Sequence, residues 1–130
     1  MSSPIFHMLA GAPAPVAPYS HAVEADGWVF VTGQLASGDD PTTPLPDGIE
    51  AETEKTMENL RFVLAGLGLG FENVVQARVF LTHFKEDYAA MNAVYARYFP
   101  GDARPARTCI GVTGLVCDAR VEIDMIARRP

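Results

Sequence analysis

Alternating apolar and polar residues predict a pair of strands early in the chain. The segments SHAVEA (20–25) and WVFVTGQ (28–34) flank Asp26 and Gly27, residue types that tolerate the positive φ angles of a two-residue hairpin loop. The Pro-, Gly- and Asp-rich segment 36–48 then predicts a surface loop. A β-hairpin followed by a loop is therefore expected.

Helical spacing of apolar residues predicts a first helix after this loop. Met57, Leu60, Leu64 and Leu67 recur at that spacing, and Asp47 is a candidate N-cap. The helix ends in AGLGLG, whose glycines follow a helix instead of linking a strand to a helix start. We therefore interpret them as a C-cap and not as a phosphate loop.

The second half of the chain predicts a strand, a helix and two more strands. The strand covers 73–82 and the helix about 86–98, where an aromatic stripe is explained by core packing. The last two strands cover about 107–113 and 119–128 and are interpreted as a hairpin. One face of the strand over 73–82 is predicted to carry Val75, Ala77, Val79 and Leu81.

The predicted order ββαβαββ gives an α/β (α+β) fold with one sheet and both helices on one of its faces. The other face keeps apolar residues, among them Trp28, Phe30 and Phe80. Two helices cannot cover both faces, and an apolar face of several strands exceeds what monomers usually expose. We therefore expect a homo-oligomer, with ligand sites in clefts between subunits.

Composition narrows the possible functions. At 130 residues, with 48% hydrophobic and 20% charged residues, the chain fits one globular domain, residues 1–130. The net charge of -6 and the lack of a Lys/Arg run argue against nucleic acid as a partner. The apolar runs are too short to span a bilayer.

Cysteine usage and the first residues favour a cytoplasmic protein. Cys109 and Cys117 lie eight residues apart and are interpreted as reduced thiols. No Cys or His pair has metal-ligand spacing, so no metal is expected. The segment MSSPIFHMLAGAPAP has no Lys or Arg before its apolar residues, which argues against a secretory signal.

Arg107 and Glu122 are charged residues inside the apolar last strands. With a four-residue hairpin loop, they are predicted to share a face within side-chain reach. Two interpretations remain open: a structural cross-strand ion pair, or a site in which Arg107 binds a substrate carboxylate and Glu122 directs a water molecule. Small neighbours, Cys109 and Gly111, leave space beside the guanidinium and favour the second.

PARTCIGVTGLV followed by VEIDMIA resembles the C-terminal signature of the RidA/YjgF family, also described as endoribonuclease L-PSP. In that family a Pro-Ala-Arg-(Ser or Thr) strand precedes Ile-Glu or Val-Glu-Ile. APAPVAPYSHA is similar to the family's Pro-Tyr-Ser segment, FVTGQL to its Ser-Gly-Gln strand, and ETEKTMENLRFVL and DYAAMNAVYARYF to its two helices. The resemblance implies a chorismate-mutase-like fold, a homotrimer and clefts between subunits.

The resemblance also implies an activity without a cofactor: hydrolysis of reactive 2-enamines and 2-imino acids, such as 2-aminoacrylate, to 2-keto acids and ammonia. Arg107 would hold the substrate carboxylate and Glu122 would position the attacking water. The residues that would line the cleft are Tyr19, Thr32, Gly33, Asn92 and Cys109.

Departures from the family pattern leave the substrate open. They are His21 where Gln is common, Thr32 for Ser, Ala17 for Gly, and Leu115-Val116 for Leu-Pro. Alternatives are a pathway-specific deaminase of aminoacrylate or aminomuconate type, and a non-catalytic module that binds 2-keto acids or acts as a chaperone. RNA cleavage, attached to relatives, conflicts with the negative charge.

Overall fold

The computed structural model describes residues 3–38, 40 and 42–130. Six strands and two helices form the described fold. They are β1 Ile5–His7, β2 Ala22–Ala25, β3 Trp28–Gln34, α1 Ile49–Gly66, β4 Val74–Leu81, α2 Phe84–Ala96, β5 Ala106–Gly111 and β6 Val121–Arg128. The strands form one sheet in the order β1-β2-β3-β6-β4-β5, in which only β4 and β5 pair in parallel.

This architecture confirms the predicted fold class, a single mixed sheet with two helices. The structure adds the short strand β1, which the sequence pattern did not predict and which pairs with β2 through Phe6 and Val23. In the predicted loop over 36–48, Asp39 and Pro41 lie outside the described residues. In the described part of the chain, the helices are too short or too polar to cross a bilayer.

The first hairpin forms as predicted. Ala25 pairs with Trp28, and the two loop residues have positive φ angles of 52° at Asp26 and 84° at Gly27. This left-handed conformation matches the twist of the flanking strands and favours Asp-Gly over bulkier pairs.

The ends of α1 were predicted correctly only at the C-terminus. The N-cap residue is Gly48, which makes no side-chain cap hydrogen bond, so the assignment of Asp47 as N-cap is wrong. At the other end, the Leu69 N–H donates to the Leu64 carbonyl at 2.8 Å, and Gly68 has a φ of +75°. This is the glycine C-cap inferred from AGLGLG.

The core lies between the helices and one face of the sheet. Met57, Leu60 and Met91 of the helices are fully buried against Ile123 and neighbouring strand residues. The pairing of β4 with β6 shifts register near the start of β4.

This irregularity corrects one predicted face. It turns Val74 into the core and leaves Val75 41% exposed, so the prediction that Val75 shares the core face with Ala77, Val79 and Leu81 is wrong.

The last two strands do not form a hairpin, and this prediction is also wrong. β5 pairs in parallel with β4, because α2 connects the two as a crossover, and β6 lies between β3 and β4. The segment from Val112 to Arg120 passes across the end of β4, where Val112 donates to the Leu81 carbonyl and Thr82 donates to the Arg120 carbonyl.

The sheet face opposite the helices remains open in the single chain and is rich in apolar side chains. Trp28 is 42% exposed, Phe30 47% and Ile110 45%. The predicted half-apolar face is therefore present, and a subunit interface is the arrangement that would cover it.

Candidate active site

Arg107 and Glu122 lie on opposite faces of the sheet. Arg107 is level with Ala77, which is buried under the helices, whereas Glu122 is level with Phe80 on the open face. β4 lies between their two strands, so the residues are separated by roughly 10 Å across the sheet. The three-residue offset from Ala77 to Phe80 separates them by roughly another 10 Å along the strands. The predicted contact between the two side chains within one chain is therefore wrong.

The predicted contact between Arg107 and Glu122 is wrong because β5 is oriented differently from the expectation. Its apolar residue Ile110 points to the open face, so the polar alternates Arg107 and Cys109 point towards the helices. On β6 the apolar residues point towards the helices and Glu122 points away. The same alternation thus has opposite meanings on an edge strand and on a central strand.

Arg107 lines a cavity of about 290 Å³ between α2 and the segment before β5. The predicted residue Asn92 lies in the same wall, so the structure brings these two together. The complete lining is Asn92, Tyr95, Ala96, Phe99, Arg104, Pro105 and Arg107, which we call the Arg107 cavity.

Aromatic rings of α2 hold the Arg107 guanidinium. Its central carbon lies 4.9 Å from the centre of the Tyr95 ring and 6.0 Å from that of Tyr88. Among the described residues no carboxylate pairs with it, whereas Arg78, Arg120 and Arg129 form ion pairs. The ion-pair interpretation of Arg107 therefore does not apply within this chain.

Cys109 lies beside Arg107 on β5, level with Val79, and packs against the core. Burial raises the pKa of its thiol, although the nearby Arg107 acts in the opposite direction. A nucleophilic cysteine needs a lowered pKa, so space-filling remains the better interpretation of Cys109.

Glu122 belongs to a second group of predicted residues on the other side of the sheet. The Glu122 carboxylate covers Gly33 so closely that a Cβ at that position would collide with it. Gly33 and Tyr19 line a small cavity of about 30 Å³, the volume of about one water molecule.

Thr32 fixes the backbone of this second group. Its hydroxyl donates to the Ser20 carbonyl at 2.5 Å, and its N–H donates to the His21 carbonyl at 3.1 Å. These bonds tie the segment that carries Tyr19 to β3. We call Tyr19, Thr32, Gly33 and Glu122 the Glu122 group.

The surroundings of Glu122 favour its neutral form. Burial raises the pKa of this carboxyl, and the like charge of Asp124, two residues along the same face, raises it further. No hydrogen bond from a described residue lowers its pKa. A carboxylate with few partners and a raised pKa is suited to accept a proton and to return it.

His21, a departure from the family pattern, is buried and has a structural role. Its Nδ1 accepts from the Leu9 N–H and its Nε2 donates to the Pro13 carbonyl, both at 2.8 Å. These bonds fit the neutral tautomer with the proton on Nε2 and hold the segment before Tyr19 against β2.

Glu52 of α1 makes a contact with β6 that the sequence pattern does not predict. It is buried, and its Oε2 accepts from the N–H groups of Arg120 at 2.6 Å and Val121 at 3.1 Å. Arg120 also pairs with Asp87 of α2 at 2.7 Å. These contacts fix the start of β6 one residue before Glu122.

Two further residues of the Arg107 cavity were missed. Tyr95 lies on the aromatic stripe of the second helix, which core packing alone explains. Arg104 precedes Arg107 by three residues, and this spacing is the one signal in the sequence that points to it.

In the described part of the chain no cluster of three His, Cys, Asp or Glu residues could hold a metal ion.

Comparison with known proteins agrees with this fold and identifies the family. Residues 9–129 match the family model described as Endoribonuclease L-PSP. A RutC family protein of Synechocystis, slr0709, is 43% identical over 122 residues, covering 93% of each chain. The chain therefore belongs to the family of the RutC, RidA and YjgF proteins.

Solved structures extend the comparison. RidA from an Antarctic Psychrobacter is 32% identical, with a TM-score of 0.83 and coverage of 91% of this chain and 94% of the other. Escherichia coli TdcF, solved with bound serine, is 28% identical, with a TM-score of 0.86 over 97% and 98% of the two chains.

Proposed function

We propose that the protein hydrolyses 2-enamines and 2-imino acids to 2-keto acids and ammonia. The observation that carries this proposal is the environment of the Arg107 guanidinium. Aromatic rings hold it, it has no carboxylate partner in the described chain, and it lines a cavity for a small acid. Such a group binds a substrate carboxylate with two parallel hydrogen bonds.

In the proposed reaction, Arg107 anchors the carboxylate of the imino acid and Glu122 accepts a proton from a water molecule. The water oxygen attacks C2 of the protonated imine and forms a tetrahedral carbinolamine. Glu122 then returns its proton to the nitrogen. As the C–N bond breaks, Glu122 takes the proton of the new hydroxyl group, so that the keto group forms and ammonia leaves; ammonia then takes up that proton as ammonium. The raised pKa of Glu122 supports this exchange of a single proton.

The proposed site requires two copies of the chain, because Arg107 and Glu122 face opposite sides of one sheet. Arg107 lies on the edge strand β5, from which it can reach a neighbouring subunit. Glu122 lies on the open apolar face, which a neighbour would cover. We therefore place the site in a cleft between subunits of a homotrimer, as the family resemblance implies.

Binding of serine by the relative TdcF gives independent support, since serine carries the same carboxylate next to a nitrogen-bearing carbon. A non-catalytic module that binds 2-keto acids would use Arg107 in the same way, but Glu122 would be dispensable. RNA cleavage, suggested by the family description, is disfavoured by the net charge of -6.

The test is release of keto acid and ammonia from freshly generated 2-iminopropionate. We expect Arg107→Ala to remove most turnover, and Glu122→Gln to lower kcat more than it raises KM. Unchanged release in both variants would end the proposal. No release above the uncatalysed rate by the wild type, together with binding of 2-keto acids that Arg107→Ala removes, would favour the binding module.

A mixing experiment tests the location between subunits. When Arg107→Ala and Glu122→Gln chains are co-expressed, some interfaces combine the intact Arg107 of one chain with the intact Glu122 of another. Random assembly makes about one quarter of the sites intact, so activity should return to about that fraction of wild type. A site within one chain would regain nothing.

A further inference from the structure

The Arg107 cavity contains a second arginine, Arg104, for which the proposed reaction has no use. Both guanidinium-bearing residues line the same space of about 290 Å³. Among the described residues neither has a carboxylate partner, whereas four of the other six arginines of the chain are paired. The paired arginines are Arg61, Arg78, Arg120 and Arg129.

The backbone holds Arg104 in place without an ion pair. Its N–H donates to the Asp102 carbonyl at 3.0 Å, and Gly101 turns the chain with a φ of +80°. Pro105 restricts the residue before it to extended conformations. Arg104 therefore lies in a defined turn directly before β5, three residues from Arg107.

The remaining walls of the cavity suit a short carbon chain with polar ends. Ala96, Phe99 and Pro105 are apolar, and Asn92 offers an amide. Tyr95 contributes its aromatic ring, which carries the Arg107 guanidinium. The cavity therefore combines apolar walls with two cations and an amide.

Two neighbouring cations without counter-ions repel each other, and a dianion relieves that repulsion at both. A monocarboxylate would neutralise Arg107 only. The chain as a whole carries a net charge of -6, so the two arginines form a local exception that favours an anionic ligand.

We infer that the site prefers 2-imino acids with a second carboxylate, which Arg104 binds while Arg107 binds the carboxylate next to the imine. This inference rests on the proposed function for the role of Arg107. The cavity volume is at the lower end of ligand pockets and fits a short dicarboxylic acid.

The experiment compares two substrates with the same five-carbon chain, 2-iminoglutarate and 2-iminopentanoate, each generated in situ by an amino-acid oxidase. We expect wild type to have the higher kcat/KM for 2-iminoglutarate. Arg104→Gln should lower the ratio of the two kcat/KM values about five- to tenfold, because one charge-assisted contact is lost.

Arg97→Gln is the matched control. Arg97 is also exposed and lies just after α2, but it does not line the cavity, so its loss changes net charge alone. The ratio should stay at the wild-type value in this variant. An unchanged ratio in Arg104→Gln, or an equal fall in both variants, would overturn the inference.

Direct binding separates this inference from the proposed function. Affinities for 2-oxoglutarate and 2-oxopentanoate can be measured by calorimetry without turnover. If no imine is hydrolysed but 2-oxoglutarate binds more tightly in an Arg104-dependent way, the proposed reaction fails and the dicarboxylate preference stands. If 2-oxoglutarate has no advantage, the preference fails even where imines are hydrolysed.

Discussion

The Arg107 guanidinium lies over the ring of Tyr95, 4.9 Å from the ring centre. Because Tyr95 is nearly fully buried, the ring is a fixed platform, and it orients the cation without neutralising it. An arginine held by a carboxylate would have to exchange partners on binding an acid. An arginine held by a ring keeps its hydrogen-bonding edge available.

Tyr95 is therefore predicted to act through Arg107. Tyr95→Leu removes the ring and should raise KM for 2-iminopropionate about three- to tenfold, as expected from about 1 kcal/mol of cation–π interaction. Tyr95→Phe keeps the ring and should leave KM within about twofold of wild type. Steady-state kinetics, with thermal unfolding of each variant, provide the measurement.

Tyr98→Leu controls for lost stability in the Tyr95 experiment. Tyr98 also lies at the end of α2, but it contacts Phe71 and Glu58, away from Arg107. A similar rise of KM in this variant would show that loosening of the helix, and not loss of the platform, is responsible.

Gly33 is predicted to be required for the position of Glu122. A Cβ at this position would collide with the Glu122 carboxylate, so Gly33→Ala should displace it and lower kcat about 10²-fold, the typical contribution of a general base. The fold should survive, since Glu122 can move into the open face. Gly114→Ala, where an added Cβ meets no atom within 4 Å, is the control and should retain full activity.

The sequence predicts the elements of this fold better than their arrangement. Periodicity is local, so the hairpin at Asp26-Gly27 and both helices could be recognised from their own residues. The position of β6 between β3 and β4 depends on contacts between distant segments, which no local pattern encodes. The assumption that successive strands pair was reasonable and failed for β5 and β6, because α2 makes β5 a parallel neighbour of β4.

The candidate site was predicted as a set of residues but not as a geometry. The family resemblance pointed to Tyr19, Gly33, Asn92 and Arg107. In the structure Tyr19 and Gly33 line one cavity, and Asn92 and Arg107 line another. The face of Arg107 could not be deduced, because an edge strand with apolar Ile110 on its open side reverses the usual meaning of alternation.

The acidic limb of the pH–activity profile is predicted to depend on Asp124. Burial and Asp124 raise the pKa of Glu122 above its usual value of 4.5, so the base form is lost as pH falls through a point above that value. Asp124→Asn removes the like charge and frees the Arg78 cation that Asp124 now binds at 2.6 Å. Both changes lower the pKa of Glu122.

The acidic limb of the plot of kcat/KM against pH should therefore move to lower pH in Asp124→Asn and disappear in Glu122→Gln. Glu54→Gln, which removes an exposed carboxylate on the outer side of α1, should leave the limb at its wild-type pH. If the limb stays at the same pH without Asp124, another group controls it. Use of one substrate throughout cancels the ionisation of the substrate itself.

Glu52 is predicted to stabilise the start of β6 through its two backbone contacts. Glu52→Ala leaves the N–H groups of Arg120 and Val121 without partners and creates a cavity, which should lower the free energy of unfolding by about 2 to 4 kcal/mol. Glu52→Gln keeps an oxygen at the same place and should cost little. Chemical denaturation of the three proteins gives the comparison.

The pH dependence of these variants tests the same contact from another direction. Burial raises the pKa of Glu52 and outweighs the two N–H groups and the charge of Arg120, which lower it; the charge of Asp87 adds the smallest effect, in the raising direction. The folded state therefore holds this proton more tightly than the unfolded state. Its contribution to stability is complete below the usual value of 4.5 and is lost as pH rises through the higher folded-state pKa.

Glutamine does not titrate, so only the wild type loses stability as Glu52 ionises. The unfolding free energy of Glu52→Gln minus that of wild type should therefore increase as pH rises above 4.5, and then become constant. A difference that stays flat across this range would mean that Glu52 holds its proton no differently in the folded chain. A difference that falls with pH would mean that the N–H groups outweigh burial. In that case the carboxylate of Glu52, and not its neutral acid, is the form that fixes the start of β6, just before Glu122.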